Sequence, residues 1–286
     1  MALPDLPQGS ACNGKIDLVF AINQGGIGDY IDTLYAAYPT ILATIEEVFV
    51  DFDLHVMFIN ATSIWGSVAC PKNMCPEEGG CPADDYEDFP CWALYDEGAL
   101  TKCDSTMGAG IIFPAGRKAS NKPCDLPPGQ RFLSGDDPLF SERFACLSHT
   151  GLSASSEHGW ALGEALSWDL RGGCNAGFLR EDALLFVVYG ANGDFSPYNP
   201  YVWAQRVLEA KDNNQDMVVL LGIGSDLSEP KPLCNEIPSG KKGPALQLTE
   251  EFEHSIFGSQ CAPAYAPFFT EAATMAAELC ANGPQD

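Results

Sequence analysis

Four apolar runs recur along the chain and predict a buried sheet. Residues 15–22, 53–60, 183–189 and 217–223 are rich in Val, Leu, Ile, Met and Phe, without strict alternation of apolar and polar positions. Short apolar runs of this kind are typical of strands that are buried on both faces, as in parallel sheets. The core is therefore expected to form around these four strands.

Helical periodicity separates the predicted strands. Apolar residues recur every three or four positions over residues 30–49, which predicts an amphipathic helix directly after the first strand. Similar spacing predicts helices over residues 156–170 and 201–211, and near residues 246–257 and 268–279. Because strands that alternate with helices are typical of parallel sheets, the sequence predicts an α/β fold with an open, mostly parallel sheet flanked by helices.

Residues 63–146 interrupt this alternation. They have almost no hydrophobic periodicity, and their first part is dense in cysteine, proline and acidic residues. We expect a disulfide-rich loop insertion within one domain that covers residues 12–281. The carboxylates of this insertion could bind calcium, but they lack the spacing of an EF-hand loop, which favours a solvated acidic loop.

Charge and cysteine content restrict the possible functions. The chain has 286 residues and a formal net charge of −24, which disfavours nucleic acid and anionic membranes as partners and is compatible with calcium or a basic partner. Its twelve cysteines include no C-x-x-C pair, which favours disulfides over zinc and an oxidising compartment. Since no apolar run could form a transmembrane segment and no signal peptide precedes Cys12, we expect a secreted, periplasmic or cell-surface protein whose export signal was removed.

A glycine-rich loop, residues 23–28, follows the first predicted strand, where open α/β sheets bind their ligands. Its glycines permit a tight turn, which is the simplest explanation of their presence. A dinucleotide site is disfavoured because the third glycine of the G-x-G-x-x-G pattern is replaced by Ile31.

Hydrolase chemistry also has little support. The chain lacks a G-x-S-x-G motif, and His149 and His158, which flank a serine-rich loop, are expected to be exposed beside a helix cap. Trp160, Trp168 and Trp203 fall on helical stripes and are predicted to lie in the core.

A set of short segments extends over nearly the whole chain and carries a family resemblance. The segments are IDLVFAINQGGIG, CDSTMGAGIIFPAG, GQRFLSG, FACLSHTG, HGWALGEAL, NAGFLREDALLFVVYGANGDFSP and a closing C-x-x-x-Y. Together they resemble the von Willebrand factor A family, in particular its cysteine-rich secreted or lipoprotein members of bacterial, myxobacteria-like type. The resemblance implies a Rossmann-like open sheet, which is the fold that the hydrophobic pattern predicts.

The resemblance also implies a metal-ion-dependent adhesion site at the carboxyl edge of the sheet. In that family the first loop supplies D-x-S-x-S, a second loop a Thr and a third loop an Asp, because a hard divalent cation binds carboxylate and hydroxyl oxygens. Here the first loop contains Asn23, Gln24, Gly25, Gly26 and Ile27. Asn23 keeps an oxygen without the charge, while Gly25 and Ile27 supply no hydroxyl.

The other two loops match the family site only in part. Thr150 corresponds to the second-loop Thr, while the shorter third loop places Asn192 or Gly193 at the Asp position, with Asp194 nearby. Since Mg²⁺ prefers carboxylates in strict octahedral geometry, we expect little or no binding. The residual metal candidates are Asn23, Thr150 and Asp194, and we expect no cofactor, with Ca²⁺ or Mg²⁺ as the alternative.

These observations predict a non-enzymatic, extracellular or cell-surface domain of adhesion type that binds a protein partner or assembles with itself. The predicted partner-binding edge consists of Asn23, Gln24, Gly25, Gly26, Ile27, Thr150, Asn192 and Asp194. Two alternatives remain open, a structural subunit of an extracellular assembly and a calcium-binding secreted protein that uses residues 70–91.

Overall fold

The computed structural model describes residues 12–22, 29–61, 100–114, 118–151, 157–191, 194, 196–229, 232–234 and 242–282. Its strands are β1 (Lys15–Ile22), β2 (Asp53–Phe58), β3 (Leu133–Ser134), β4 (Leu184–Ala191), β5 (Val218–Gly224) and β6 (Ser255–Ser259). Its α-helices are α1 (Asp29–Val48), α2 (Phe140–Ser148), α3 (His158–Ala165), α4 (Trp168–Arg171), α5 (Pro200–Glu209), α6 (Pro244–Thr249) and α7 (Ala266–Asn282).

The six strands form one sheet in the order β3-β2-β1-β4-β5-β6. All neighbouring strands are parallel except β3, which pairs antiparallel with β2 at the edge of the sheet. The central strands β1 and β4 are buried along nearly their whole length, as their continuous apolar sequences require. The α/β fold predicted from the sequence is confirmed.

Successive residues of the central strands point to opposite faces of the sheet and form two apolar layers. Leu18 and Phe20 belong to the layer that includes residues of α1, α2 and α7. Val19 and Ala21 belong to the layer that includes residues of α3, α5 and α6. The apolar stripe of each helix is thus buried against one face of the sheet, which is the main source of stability in such a fold.

Two helix boundaries differ from the sequence prediction. The helix predicted near residues 246–257 ends at Thr249, and residues 255–259 form the edge strand β6, in which Ile256 pairs with Leu221 of β5. The helix predicted over residues 156–170 is divided into α3 and α4, because the Ser167 side chain caps a new helix by accepting a hydrogen bond from the Leu170 N–H (3.4 Å).

Part of the predicted insertion is built into the main domain. Leu133 lies in β3, and Phe140 and Phe144 of α2 pack in the same apolar layer as α1. Residues 62–99, the cysteine-dense part of the insertion, lie outside the described residues. The later part of residues 63–146 therefore contributes regular structure and core side chains, which its weak periodicity did not predict.

Disulfides join the described cysteines in four pairs: Cys12–Cys280, Cys103–Cys174, Cys124–Cys146 and Cys234–Cys261. The prediction of disulfides is confirmed for these eight residues, while Cys70, Cys75, Cys81 and Cys91 lie outside the described residues. No helix in the described ranges combines the length and the apolar character that a membrane span requires.

A buried network of charged groups anchors the segment that leads into β4. Asp17 of β1 is fully buried, and its carboxylate accepts hydrogen bonds from the backbone N–H (2.7 Å) and the guanidinium (2.9 Å) of Arg180. Lys211 donates hydrogen bonds to the carbonyls of Arg180 (2.6 Å) and Ala183 (2.5 Å). Burial lowers the pKa of Lys211 to about 8, against the opposing charge of Asp17. The network fixes the amino end of β4 and so sets the position of its carboxyl end.

Candidate functional site

The predicted partner-binding residues follow strands whose carboxyl ends meet at one edge of the sheet. Ile22 at the end of β1 pairs with Gly190 at the end of β4. We call the surface around these two strand ends, with residues 148–151, 157–160, 194 and 196–199, the carboxyl edge. Asn23, Gln24, Gly25, Gly26, Ile27 and Asn192 lie outside the described residues, so the structure describes only Thr150 and Asp194 of the predicted site.

The Asp194 carboxylate is engaged by donors of the chain itself. One oxygen accepts hydrogen bonds from the Gly159 N–H (2.8 Å) and the Tyr189 hydroxyl (2.6 Å), and the other accepts from the Ser196 N–H (2.7 Å). The Ser196 hydroxyl in turn accepts from the Trp160 N–H (2.9 Å). Asp194 and Ser196 therefore cap the first turn of α3, where the positive end of the helix dipole favours a carboxylate.

The sequence at the start of α3 permits this close contact. Glu157, at the N-cap position, makes no capping hydrogen bond with its side chain, so the first N–H groups of the helix are open to the loop after β4. A Cβ on Gly159 would lie only 2.2 Å from the Trp203 ring of α5. Glycine at this position thus brings the helix start close to α5 and to Asp194.

His158 is fully buried at the carboxyl edge, so the prediction that it is exposed is wrong. Burial lowers the pKa of His158 to about 4, although the Asp194 charge and a hydrogen bond to the Ile22 carbonyl both favour the protonated ring. At neutral pH the ring is therefore uncharged, and it connects the end of β1 to the start of α3.

Thr150 is buried beside α1 and shares no hydrogen bond with Asp194. Its hydroxyl faces the Tyr35 phenol, whose oxygen accepts a hydrogen bond from the Gly151 N–H (3.2 Å). The two described metal candidates, Thr150 and Asp194, thus contact different parts of the domain. Within the described residues, no group of three His, Cys, Asp or Glu ligands lies at the carboxyl edge.

The described residues place one Ser–His pair at this edge. The Ser148 hydroxyl lies 3.4 Å from Nδ1 of His149, but that nitrogen is 2.9 Å from the Ala145 carbonyl oxygen. Because a carbonyl only accepts, Nδ1 carries a proton in this contact and cannot remove one from Ser148. Ser148 is also fully buried, which keeps it from a substrate.

An aromatic surface borders Asp194. The Tyr198 side chain is 67% exposed, and its ring contacts that of Trp160 with 5.2 Å between centroids. The Arg206 guanidinium lies 3.7 Å from the centroid of the Trp160 ring and forms an ion pair with Glu164 (2.6 Å). We call Trp160, Tyr198 and Arg206 the aromatic rim, since the Trp160 ring contacts both of the other side chains. Sequence reasoning missed this feature.

We expect Asp194→Ala to lower the free energy of unfolding by about 2 kcal/mol, because three donors lose a charged acceptor. Urea unfolding under non-reducing conditions would measure the change. Asp51→Ala, at an exposed position, is the matched control and should change the value by less than about 0.5 kcal/mol. Equal stability of the Asp194 variant and the native chain would show that these hydrogen bonds do not hold the edge together.

The comparisons with known proteins give a distant likeness in structure. No protein-family model matches the chain, and no curated protein matches it in sequence. A von Willebrand factor type A protein from Catenulispora acidiphila is similar in structure, with a TM-score of 0.47 and 12% identity over 93% of this chain and 43% of the other. Proximal thread matrix protein 1 from the mussel byssus is similar with a TM-score of 0.40 and 11% identity over 95% of this chain and 49% of the other. The chain spans less than half the length of both structures, and its sequence resemblance to a cysteine-rich bacterial sub-type stays a prediction.

Proposed function

We propose that this chain is a non-enzymatic, secreted or cell-surface domain that binds a protein partner at its carboxyl edge without a metal ion. The observation that carries the proposal is the engagement of Asp194 by Gly159, Tyr189 and Ser196. A carboxylate with three donors of its own chain stabilises α3 and has little capacity left for a cation. The metal site implied by the family resemblance would then be degenerate, and contacts at this edge would be direct.

The aromatic rim supports a protein as the ligand. Tyr, Trp and Arg are enriched among the residues that contribute most to binding at protein interfaces. Tyr198 has a left-handed backbone conformation (φ +68°), which is costly for an aromatic residue and holds its ring beside Trp160. The net charge of −24 favours a partner with a basic surface, since complementary charge accelerates association.

The compartment and the absence of catalysis belong to the same proposal. The four disulfides of the described residues are stable in oxidising compartments, which supports a secreted or cell-surface location. Catalysis is not proposed, because the protonated nitrogen of His149 faces a carbonyl and Ser148 is buried. The calcium-binding alternative depends on residues 70–91, which lie outside the described residues.

We expect Tyr198→Ala to weaken binding of an extracellular partner at least about tenfold, as for a central interface residue. The immobilised chain would be exposed to extracellular proteins of its source, and the dissociation constant of the recovered partner would be measured by surface plasmon resonance. Trp168→Ala is the matched control, because Trp168 is also aromatic, is 84% exposed and follows the far end of α3. It should leave the dissociation constant unchanged.

Two outcomes would contradict the proposal. Loss of binding in EDTA would show that the edge depends on a metal ion, and equal effects of the two substitutions would show that the aromatic rim is not the interface. Recovery of further copies of this chain alone would assign the edge to self-assembly.

A further inference from the structure

Three side chains of metal-ligating type converge at the opposite edge of the sheet, where β5 and β6 begin. The ligand atoms of Asp216, Glu253 and His254 all lie within 4.8 Å of one another. Nε2 of His254 is 3.1 Å from a carboxylate oxygen of Asp216. An ordinary surface ion pair needs only two groups, whereas here a second carboxylate approaches the same point.

The backbone holds these residues in place through the sheet. Asp216 belongs to the 3-10 helix Gln215–Met217, which runs directly into β5. His254 directly precedes β6, and its carbonyl accepts a hydrogen bond from the Leu220 N–H (3.0 Å). Both candidate ligands are thus fixed by paired strands, which is the arrangement that gives precise ligand geometry.

A glutamine joins the two turns that carry the ligands. The Gln215 amide donates to the Glu251 carbonyl (3.2 Å) and accepts from the Glu253 N–H (3.4 Å). The Asn214 side chain accepts from the Asp216 N–H (3.1 Å) and so fixes the turn before β5. These hydrogen bonds order the two turns before any ligand binds, so less conformational entropy is lost on binding.

We propose that Asp216, Glu253 and His254 form a zinc-binding site. One imidazole and two carboxylates are a donor set that suits zinc, while calcium and magnesium prefer oxygen ligands alone. Three protein ligands leave the fourth tetrahedral position open to water or to a donor from another molecule. The net charge of −24 further favours a cation at this surface.

The zinc site is independent of the proposed partner-binding edge. The two lie at opposite ends of β5, whose seven residues span roughly 20 Å. A zinc ion would connect the turn before β5 to the turn before β6 and so hold the edge strand to the sheet. Failure of either proposal would leave the other unaffected.

Zinc binding to the full disulfide-bonded chain would be measured by titration calorimetry, with Co²⁺ absorption as a probe of the ligand set. We expect His254→Ala and Asp216→Asn each to weaken zinc binding at least about tenfold, since even an indirect contact to a metal commonly contributes that much. Asp51→Asn is the matched control, because Asp51 is an exposed carboxylate that precedes β2, three strands away from β5 in the sheet. It should bind zinc like the native chain.

The calorimetric comparison separates this site from weak binding by other carboxylates. Such binding would persist in every variant, whereas the proposed site would disappear only in the His254 and Asp216 variants, with circular dichroism confirming that both are folded. Excess Ca²⁺ should not displace the zinc. Unchanged zinc affinity in both variants, or no change in the Co²⁺ spectrum on adding the chain, would overturn the proposal.

Discussion

Replacing Arg180 by methionine should lower the free energy of unfolding by about 3–5 kcal/mol. Asp17 is fully buried in the central strand β1, and Arg180 supplies both its counter-charge and its side-chain hydrogen bond. Without the guanidinium, the buried Asp17 carboxylate keeps the backbone N–H of residue 180 (2.7 Å) and the charge of Lys211, which offset the cost of its burial only in part. Urea unfolding at neutral pH under non-reducing conditions measures the loss.

Two comparisons test this explanation of the Arg180 effect. The Lys15–Asp182 ion pair has side chains that are 32% and 41% exposed, so Lys15→Met should cost less than about 1 kcal/mol. Combining Arg180→Met with Asp17→Asn should recover part of the lost stability, because the buried carboxylate that Arg180 paired is then gone. If the double variant is as unstable as the sum of the two single variants, packing rather than charge accounts for the loss.

Lowering the pH from 7 to 4 should reduce the stability of the folded chain by about 3 kcal/mol through His158 alone. Burial lowers the pKa of His158 from 6.5 to about 4 in the folded state. The unfolded chain therefore binds this proton first as the pH falls. The contribution of His158 is fully present above pH 6.5 and is lost progressively toward pH 4.

Substitution separates the contribution of His158 to the pH dependence of stability from the contributions of other titratable groups. His158→Gln cannot titrate and keeps a side-chain donor for the Ile22 carbonyl, so it should lack this part of the pH dependence. Urea unfolding at several pH values gives the slopes, and equal slopes for His158→Gln and the native chain would contradict the prediction.

The hydrophobic pattern predicted the buried strands but not the edge strand β6. β1, β4 and β5 are continuous apolar runs, and each begins within a residue of the prediction. β6 has only two large apolar residues, Ile256 and Phe257, and they continue the helical spacing of the preceding segment. Its strand conformation depends on pairing with β5, a contact between segments that are distant in the sequence.

The burial of the three tryptophans that were predicted to lie in the core depends on where the helices end. Trp203 is buried in α5, as its helical stripe predicted, but Trp160 is half-buried and Trp168 is 84% exposed. The prediction assumed one continuous helix over residues 156–170. Because Ser167 starts a new helix, the stripe that includes Trp168 no longer faces the sheet.

The family resemblance placed Asp194 near the expected metal ligand, but it did not predict the contacts of this carboxylate. Its donors Gly159 and Tyr189 belong to other elements, so spacing along the chain could not reveal them. The hydrogen bond to the N–H of Ser196, two residues later, could have been anticipated, because Asp commonly bonds its own backbone at that distance. The aromatic rim depends on the packing of α3 against α5 and has no sequence signature of its own.

The disulfide between Cys12 and Cys280 has a mechanical consequence. All six strands of the sheet lie between these two cysteines in the sequence, yet the Cα atoms of the cysteines are only 5.0 Å apart. A pulling force applied to the chain on both sides of this pair is therefore carried by a covalent bond, and the sheet bears none of the tension. Along the direction of load, the domain behaves as a short, inextensible link.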